Sequence, residues 1–339
     1  MKKMRRYLVL SLTMITVLSM TIWGALVIYY TFPGASWFKY CVSVAFCLVG
    51  LVSLIVIFKP HRYIKRLAPF GCCFAVVLIW WSMIEPSNNR DWQRDVARLP
   101  SAEIAGDLIT LKNIRNFEYR SETDYTEKWY DKTVDLNTLK SLDLLAVYWM
   151  GDAIAHTMLS FNFGGDYIVI SIEIRKEKGE SFSALAGFFR RYELTYVVAD
   201  ERDLIGLRTN FRSPNEDVYL YRINAKPGGI RDLFLQYVSK INELKQEPEF
   251  YNTATTNCTT NIVTKIKAIG PSVPFSWKMM LSGYFPELVF EWGAMDQSIP
   301  FPELRRKSLI NERARKAINS DDFSNLIRRG LVGFPPPNS

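Results

Sequence analysis

Three long apolar runs at the start of the chain restrict its fold more than anything that follows them. Tyr7–Tyr30, Trp37–Phe58 and Leu67–Ile84 carry no charge except Lys39. At 1.5 Å rise per residue each run is long enough to cross a hydrocarbon core as a helix. The third is the shortest and holds Pro69 near its start. The basic beginning, Met1-Lys-Lys-Met-Arg-Arg6, suits a secretory signal, but the run behind it is too long and lacks a small-residue cleavage site. Three retained spans are therefore expected. Lys2, Lys3, Arg5 and Arg6 precede the first span, and Lys59, Arg62, Lys65 and Arg66 separate the second from the third. Positive charge stays on the cytoplasmic side, so the N-terminus is expected in the cytoplasm and everything after Ile84 outside. In a bacterium this describes an inner-membrane anchor, residues 1–87, with a periplasmic domain, residues 88–339, that ends in a helical tail from about 303.

The net charge of +8 follows from that topology. Residues 1–87 hold nine Lys and Arg against the single acid Glu85, and the remaining 252 residues hold 33 basic and 33 acidic side chains. A basic total often marks a nucleic-acid partner; here the exported part is neutral and none is expected. Cys41, Cys47, Cys72 and Cys73 fall inside the spans, which leaves Cys258 alone in the exported part. A lone cysteine in an oxidising compartment is either an intermolecular bridge or a reactive thiol. Of the two histidines, His61 falls in the cytoplasmic loop and His156 in the exported part.

The exported part reads as strands with a few helices and no regular alternation, an α+β pattern. Pro86–Asp91 reads as a linker, Trp92–Leu99 as an interfacial helical turn, Asp107–Tyr119 as a strand and Ser121–Lys132 as a loop. Ser141–Met150 is rich in β-formers and reads as a buried strand. His156–Phe163 and Tyr167–Ile174, joined by Gly164-Gly165, read as a hairpin. Ser183–Arg190 reads as a short helix, Tyr192–Ala199 and Asp217–Asn224 as strands, and Gly229–Lys245 as an amphipathic helix. Ser276–Phe290 is rich in aromatic residues, and Glu303–Arg329 reads as a charged helical tail that runs out in Pro335-Pro-Pro337.

Between these elements, Tyr251-Asn-Thr-Ala-Thr-Thr-Asn-Cys258 is a polar loop that enters a helix. Ile262, Val263, Ile266 and Ile269 recur at helical spacing, and Gly270-Pro271 supplies a stop. Thr255, Thr256 or Asn257 can cap the start, which puts Cys258 in the first turn, where unpaired N–H groups and the helix dipole favour a thiolate. An imidazole close to that sulfur takes the thiol proton and later protonates a leaving group. His156 is the exported histidine available for this, with Glu173 on the neighbouring strand to orient it, or Ser171 on the same face. One cysteine and one histidine without clustered spacing cannot build a zinc site, so neither metal nor cofactor is expected. Arg202, Arg208 and Arg212 lie in Ala199–Arg212. Arg208 and Arg212 could hold an anionic head group together with Asn257, whereas Arg202 has Asp200, Glu201 and Asp203 to pair with on a surface.

Five blocks then carry a resemblance: Ala155-His156-Thr-Met-Leu-Ser-Phe, Ser171-Ile-Glu-Ile-Arg-Lys-Glu-Lys-Gly-Glu180, Tyr192-Glu-Leu-Thr-Tyr-Val-Val-Ala-Asp-Glu-Arg-Asp203, Leu207-Arg-Thr-Asn-Phe-Arg212 and Thr256-Asn-Cys258-Thr-Thr. In this order, over roughly residues 91–299, the chain resembles the Lnb-type periplasmic domain family, named for a bacterial lipoprotein N-acyltransferase. The resemblance implies a permuted papain-like fold related to NlpC-type cysteine hydrolases, with the histidine strand before the cysteine helix. It implies Cys258 as nucleophile and His156 as general base. The function expected is thiol-dependent transfer of an acyl chain from a phospholipid or lipoprotein ester, through a Cys258 thioester, to an amine such as a lipoprotein N-terminus. A cysteine peptidase or amidase acting on cell-wall peptides, and a catalytically silent binding module, are the alternatives.

Overall fold

The computed structural model describes residues 2–58, 63–269 and 274–334. Lys59, Arg62 and His61 of the loop between the second and third spans, the stop signal Gly270-Pro271 and the run Pro335–Pro337 lie outside the described residues. The chain divides into two compact units. One comprises Met1–Pro86 together with Ser183–Tyr192, and the other comprises Ser87–Phe182 and Glu193–Ser339.

The first unit holds α1 (Lys2–Thr31), α2 (Ser36–Ile57) and α3 (Tyr63–Ser82), each long and apolar enough to cross a membrane. Small residues let the helices approach, as membrane helices commonly require. A Cβ on Gly50 would lie 2.2 Å from Thr21 Oγ1, and one on Gly24 would lie 2.5 Å from the Phe46 ring. Within the segment Ser183–Tyr192 a helix is expected over Ser183–Arg190, but only Ala186–Phe188 makes a 3-10 turn. Two arginines explain why it groups with the helices. Arg190 Nη1 donates to the carbonyls of Trp81 (3.1 Å), Ser82 (3.3 Å) and Ile84 (3.2 Å), and its guanidinium lies 4.2 Å from the Trp81 ring. Arg191 Nη1 donates to Tyr30 O at 3.1 Å, and Phe189 stacks on Tyr30. The last carbonyls of a helix have no intrahelical donor and carry its negative dipole end, so cations from elsewhere in the chain suit them.

The second unit is built on a sheet. Its strands are β1 (Ser101–Ala105), β2 (Leu108–Arg115), β5 (Trp129–Asp135), β6 (Leu139–Tyr148), β7 (Ala155–Phe163), β8 (Asp166–Arg175), β9 (Glu193–Asp200) and β10 (Asp217–Ile223); β3 (Glu118–Tyr119) and β4 (Tyr125–Thr126) pair separately. The order is β1-β2-β9-β8-β7-β6-β10, with β5 also on β2. Every pairing is antiparallel except Arg115↔Ala199 between β2 and β9. This is the α+β arrangement expected. Both faces are covered, so the strands read as nearly continuous apolar runs. Leu144, Ala146, Leu159, Phe161, Ile170, Ile172, Tyr196 and Val198 face the core under α5 (Pro227–Gln246), α6 (Cys258–Ile269) and α7 (Phe285–Glu291). Leu145, Val147, Met158, Val169, Val197 and Ala199 face the opposite core with residues of α4 (Glu201–Gly206), α9 (Asn311–Ala317) and α10 (Phe323–Leu326).

Two further expectations about local structure are corrected by the fold, those for Ser121–Lys132 and for the tail. Ser121–Lys132 is not a plain loop, because β4 and the start of β5 lie in it. Ala199–Arg212 forms α4 and then a π turn over Leu207–Phe211. The tail is not one helix but three, α8 (Phe301–Lys307), α9 and α10. It breaks after α8 because Ser308 O and Ile310 N–H bond to Leu220 N–H and Val218 O, covering the outer side of β10. An open strand edge would otherwise present unpaired backbone groups.

Candidate active site

The loop into α6 uses its polar side chains on its own backbone. Asn252 Oδ1 accepts from the N–H groups of Ala254 (2.9 Å) and Thr255 (3.1 Å), and Thr256 Oγ1 accepts from Asn252 N–H (2.6 Å). Among the three cap candidates Asn257 takes the role: its Oδ1 accepts from Thr260 N–H at 2.8 Å, and its Nδ2 donates to Thr253 O at 2.8 Å. Both ends of the Asn257 side chain are thus engaged in the turn. Cys258 is the first residue of the helix and is 8% exposed.

His156 and Glu173 come from β7 and β8. The ladder between these strands ends at Met158↔Ser171, while β7 continues along β6 to Ala155 and β8 along β9 to Arg175. The strands therefore part where His156 and Glu173 stand, and α6 packs against both strands. His156 Nε2 lies 2.7 Å from Ser171 Oγ and 3.1 Å from Glu173 Oε1. Ser171 Oγ donates its one proton to Glu173 Oε1 at 2.6 Å, so toward His156 the hydroxyl can only accept. This sets the proton on Nε2 and leaves Nδ1 as the ring nitrogen available for the hydrogen bond that His156 shares with Cys258. Ser171 and Glu173 thus both hold His156 Nε2. Behind them Arg208 Nη2 holds the same Glu173 oxygen at 3.2 Å.

The charges reinforce one another. Burial opposes a charged imidazole, but the Glu173 carboxylate and the Cys258 thiolate outweigh it and raise His156 to about 9. Burial likewise opposes the thiolate, yet His156 beside it, with hydrogen bonds from the Thr157 hydroxyl and N–H, lowers Cys258 to about 7. Glu173 is pushed up by burial and pulled well below the ordinary carboxylate range by His156, Arg208 and Ser171. Between these two values the pair favours thiolate and imidazolium, the charge state in which a thiol is most reactive.

Thiolate formation is accordingly expected at lower pH than the ordinary 8.5 or so of a free thiol. In the full chain, iodoacetamide labelling of the Cys258 peptide, read by mass spectrometry, should be half-maximal near pH 7. Removing the imidazolium leaves burial opposed only by the Thr157 hydrogen bonds, so His156→Ala should raise the midpoint. An ordinary midpoint that the variant leaves in place would dismiss the pairing.

The remaining sequence-selected residues stand further out. Arg208 is 4% exposed and is enclosed by Glu173, Leu204 O and Glu216. Arg212 pairs with Glu216 at 2.5 Å and Glu122 at 3.4 Å. Two residues at the site were not singled out from sequence. Thr157 follows the histidine and, on the opposite strand face, meets Thr259 Oγ1 at 3.3 Å. Tyr251 is partly buried, and burial together with the nearby Cys258 and Glu173 raises its phenol.

A family model matches residues 125–283, the stretch that contains His156, Ser171, Glu173, Arg208 and Cys258. It is the Lnb N-terminal periplasmic domain. This is the family the sequence resembles, over a shorter stretch than its motifs suggested. The Lnb match begins at β4 and ends within the 3-10 turn Ser282–Tyr284 that follows α6. With the three apolar helices, it describes a membrane protein with a periplasmic domain. No curated protein and no solved structure matches the chain.

Proposed function

We propose that this protein is a cysteine acyltransferase, anchored in the bacterial inner membrane with its N-terminus in the cytoplasm. The observation that carries the reading is the Cys258 thiol at the start of α6 paired with an imidazole whose other nitrogen is held by Ser171 and Glu173. The permuted papain-like arrangement, with the histidine strand ahead of the cysteine helix, belongs to the same proposal.

In the first half-reaction the thiolate attacks the carbonyl carbon of a lipid ester. N–H groups at the start of α6 face the developing oxyanion. The tetrahedral intermediate collapses to a Cys258 thioester, and the departing alkoxide takes the proton of the His156 imidazolium and leaves as an alcohol. Now neutral, His156 accepts a proton from an incoming amine as that amine attacks the thioester. An amide forms, the thiolate departs, and the ion pair is restored. Protons and electron pairs balance within the dyad and the two substrates, so the scheme calls for no cofactor.

The flanking turns support an acyl donor. Ser282 Oγ accepts from Ala155 N–H at 3.0 Å and Tyr148 OH donates to Gly283 O at 2.5 Å, which ties the turn before His156 to the one after α6. A Cβ on Gly283 would sit 2.0 Å from Asp152 O, so only glycine permits this approach. These turns expose Met150 (66%), Trp277 (54%) and Met280 (51%). Exposed apolar side chains on two joined turns fit contact with hydrocarbon.

The test compares membranes holding the wild type or Cys258→Ala by mass spectrometry of lipoprotein N-terminal peptides. Acylated N-termini that appear only with the wild type are the expected result. Release of cell-wall peptides without that change would replace transfer by hydrolysis, and no difference of either kind would remove the enzyme reading.

A further inference from the structure

Arg208 has a placement that the acyl-transfer scheme does not use. It sits in the π turn Leu207–Phe211, where Arg212 N–H bonds to Leu207 O five residues back at 2.9 Å. Such widened turns inside helices frequently mark functional positions. The side chain points inward and is 4% exposed. Nη1 is anchored on Leu204 O at 2.9 Å, Nη2 reaches Glu173 Oε1 at 3.2 Å, and Nε lies 3.7 Å from Glu216 Oε2. Glu216 is itself 6% exposed and held by Arg212.

Glu173 Oε1 therefore receives three groups at once: Ser171 Oγ, His156 Nε2 and Arg208 Nη2. The Glu173 side chain is 26% exposed, so water is within its reach. A carboxylate on a strand end would otherwise turn out to solvent, where its charge is better hydrated. The guanidinium, locked by its own helix carbonyl, is what keeps that carboxylate turned inward.

We propose that Arg208 is a positioning residue, which acts through Glu173 to hold the His156 imidazole in register with the Cys258 thiol, and that Glu216 holds Arg208 in place. The proposal rests on the thiol–imidazole reading of the site. The charged and titratable groups concerned are Cys258 from α6, Tyr251 from the loop before it, Glu173 from β8, and, around the guanidinium, Glu216, Arg212, Arg115 and Tyr119. Loss of the Arg208 charge and loss of its positioning act on His156 in opposite directions. Deleting a nearby cation alone makes an imidazole easier to protonate. Releasing Glu173 takes away the anion that favours the imidazolium, and makes it harder to protonate.

The experiment uses the full chain in native membranes and reads two peptides by mass spectrometry across pH. Iodoacetamide labels the Cys258 thiolate, and diethyl pyrocarbonate labels the neutral His156 imidazole. In Arg208→Gln the His156 midpoint should fall by a pH unit or more, and the Cys258 midpoint should rise. A one-unit fall means about tenfold less imidazolium at a pH above both midpoints. Introduced into Glu173→Gln, the same substitution should cause no further fall of the His156 midpoint, because residues acting through one another are not additive. Arg208→Lys should recover part of the shift, having the charge without the fork.

Glu216→Gln, which disturbs the far side of the guanidinium, should move both midpoints the same way by less, and it serves if Arg208→Gln does not accumulate. A His156 midpoint that rises or stays in place in Arg208→Gln, or an equal shift on the Glu173→Gln background, overturns the positioning role. Ordinary midpoints in the wild type itself would instead overturn the thiol–imidazole pairing.

Discussion

Cys258→Ala is expected to lower the rate of acyl transfer by about 10⁴-fold or more, the scale on which covalent enzymes lose activity with their nucleophile. The scheme places the whole covalent step on one sulfur, and no other cysteine lies outside the membrane helices. His156→Ala should cost nearly as much, since the thiol then loses both the base that takes its proton and the cation that holds its charge. The double variant should be scarcely worse than either single one, because the two groups act as a unit. Cys258→Ser separates the nucleophile from its packing. It keeps the fold and the His156 hydrogen bond, but a hydroxyl in this setting is far less acidic, so transfer should stay near the alanine level. The measurement is the hydroxylamine-sensitive acyl adduct on the Cys258 peptide, together with turnover in native membranes. Activity that survives Cys258→Ala would rule out a thioester route.

The largest effect on stability is expected at Arg328, well away from the thiol. Arg328 is 5% exposed; Nε bonds Asp143 Oδ2 at 2.9 Å and Nη1 bonds Glu201 Oε2 at 2.7 Å. Asp143 and Glu201 are both buried, and among the described residues only Asp143 has a second arginine, Arg222, at 2.6 Å. Removing one partner of a buried ion pair leaves an uncompensated charge and costs about 3–5 kcal/mol. Arg328→Ala should therefore lower the melting temperature by on the order of 10 °C. The sign of the pH dependence follows. A buried carboxylate without its cation takes up a proton more readily folded than unfolded, so the deficit should shrink as the solution is made acid. Adding Glu201→Gln to Arg328→Ala should recover much of the loss at neutral pH. A melting temperature unchanged by Arg328→Ala would mean that water reaches the cluster.

What could be read in the sequence was what hydropathy and period report. The spans, β6 to β10, α5 and the helix that starts at Cys258 lie close to where apolar spacing put them. The segment Ala199–Arg212 could not be read that way, because its charges suggest a solvated surface. The fold instead buries Glu201, Asp203 and Arg208 as ion pairs, and hydropathy cannot distinguish a charge with a buried partner from one in water. Asp203, for example, receives Arg115 Nη2 at 2.7 Å and Phe117 N–H at 2.7 Å, both from distant parts of the chain. The β5 strand was hidden because its side chains are mostly half-exposed. At the site, the uniqueness of Cys258 and His156 in the exported part selected them. The shared use of Ser171 and Glu173, and Arg208 behind them, needed the register of β7 and β8.

The arginines that close the helix ends also say something about the order of events during synthesis. Arg190 lies 109 positions after Trp81, and Arg191 lies 161 after Tyr30. A ribosome adding about 5–20 residues each second needs roughly 5–20 s to cover the shorter interval. Throughout that delay Tyr30 O, Ser82 O and Ile84 O are without their arginine donors, and water or lipid head groups can serve them. The anchor is thus begun first but completed only after β8 has emerged, and a nascent chain halted before residue 190 would carry three helices with a bundle still unfinished.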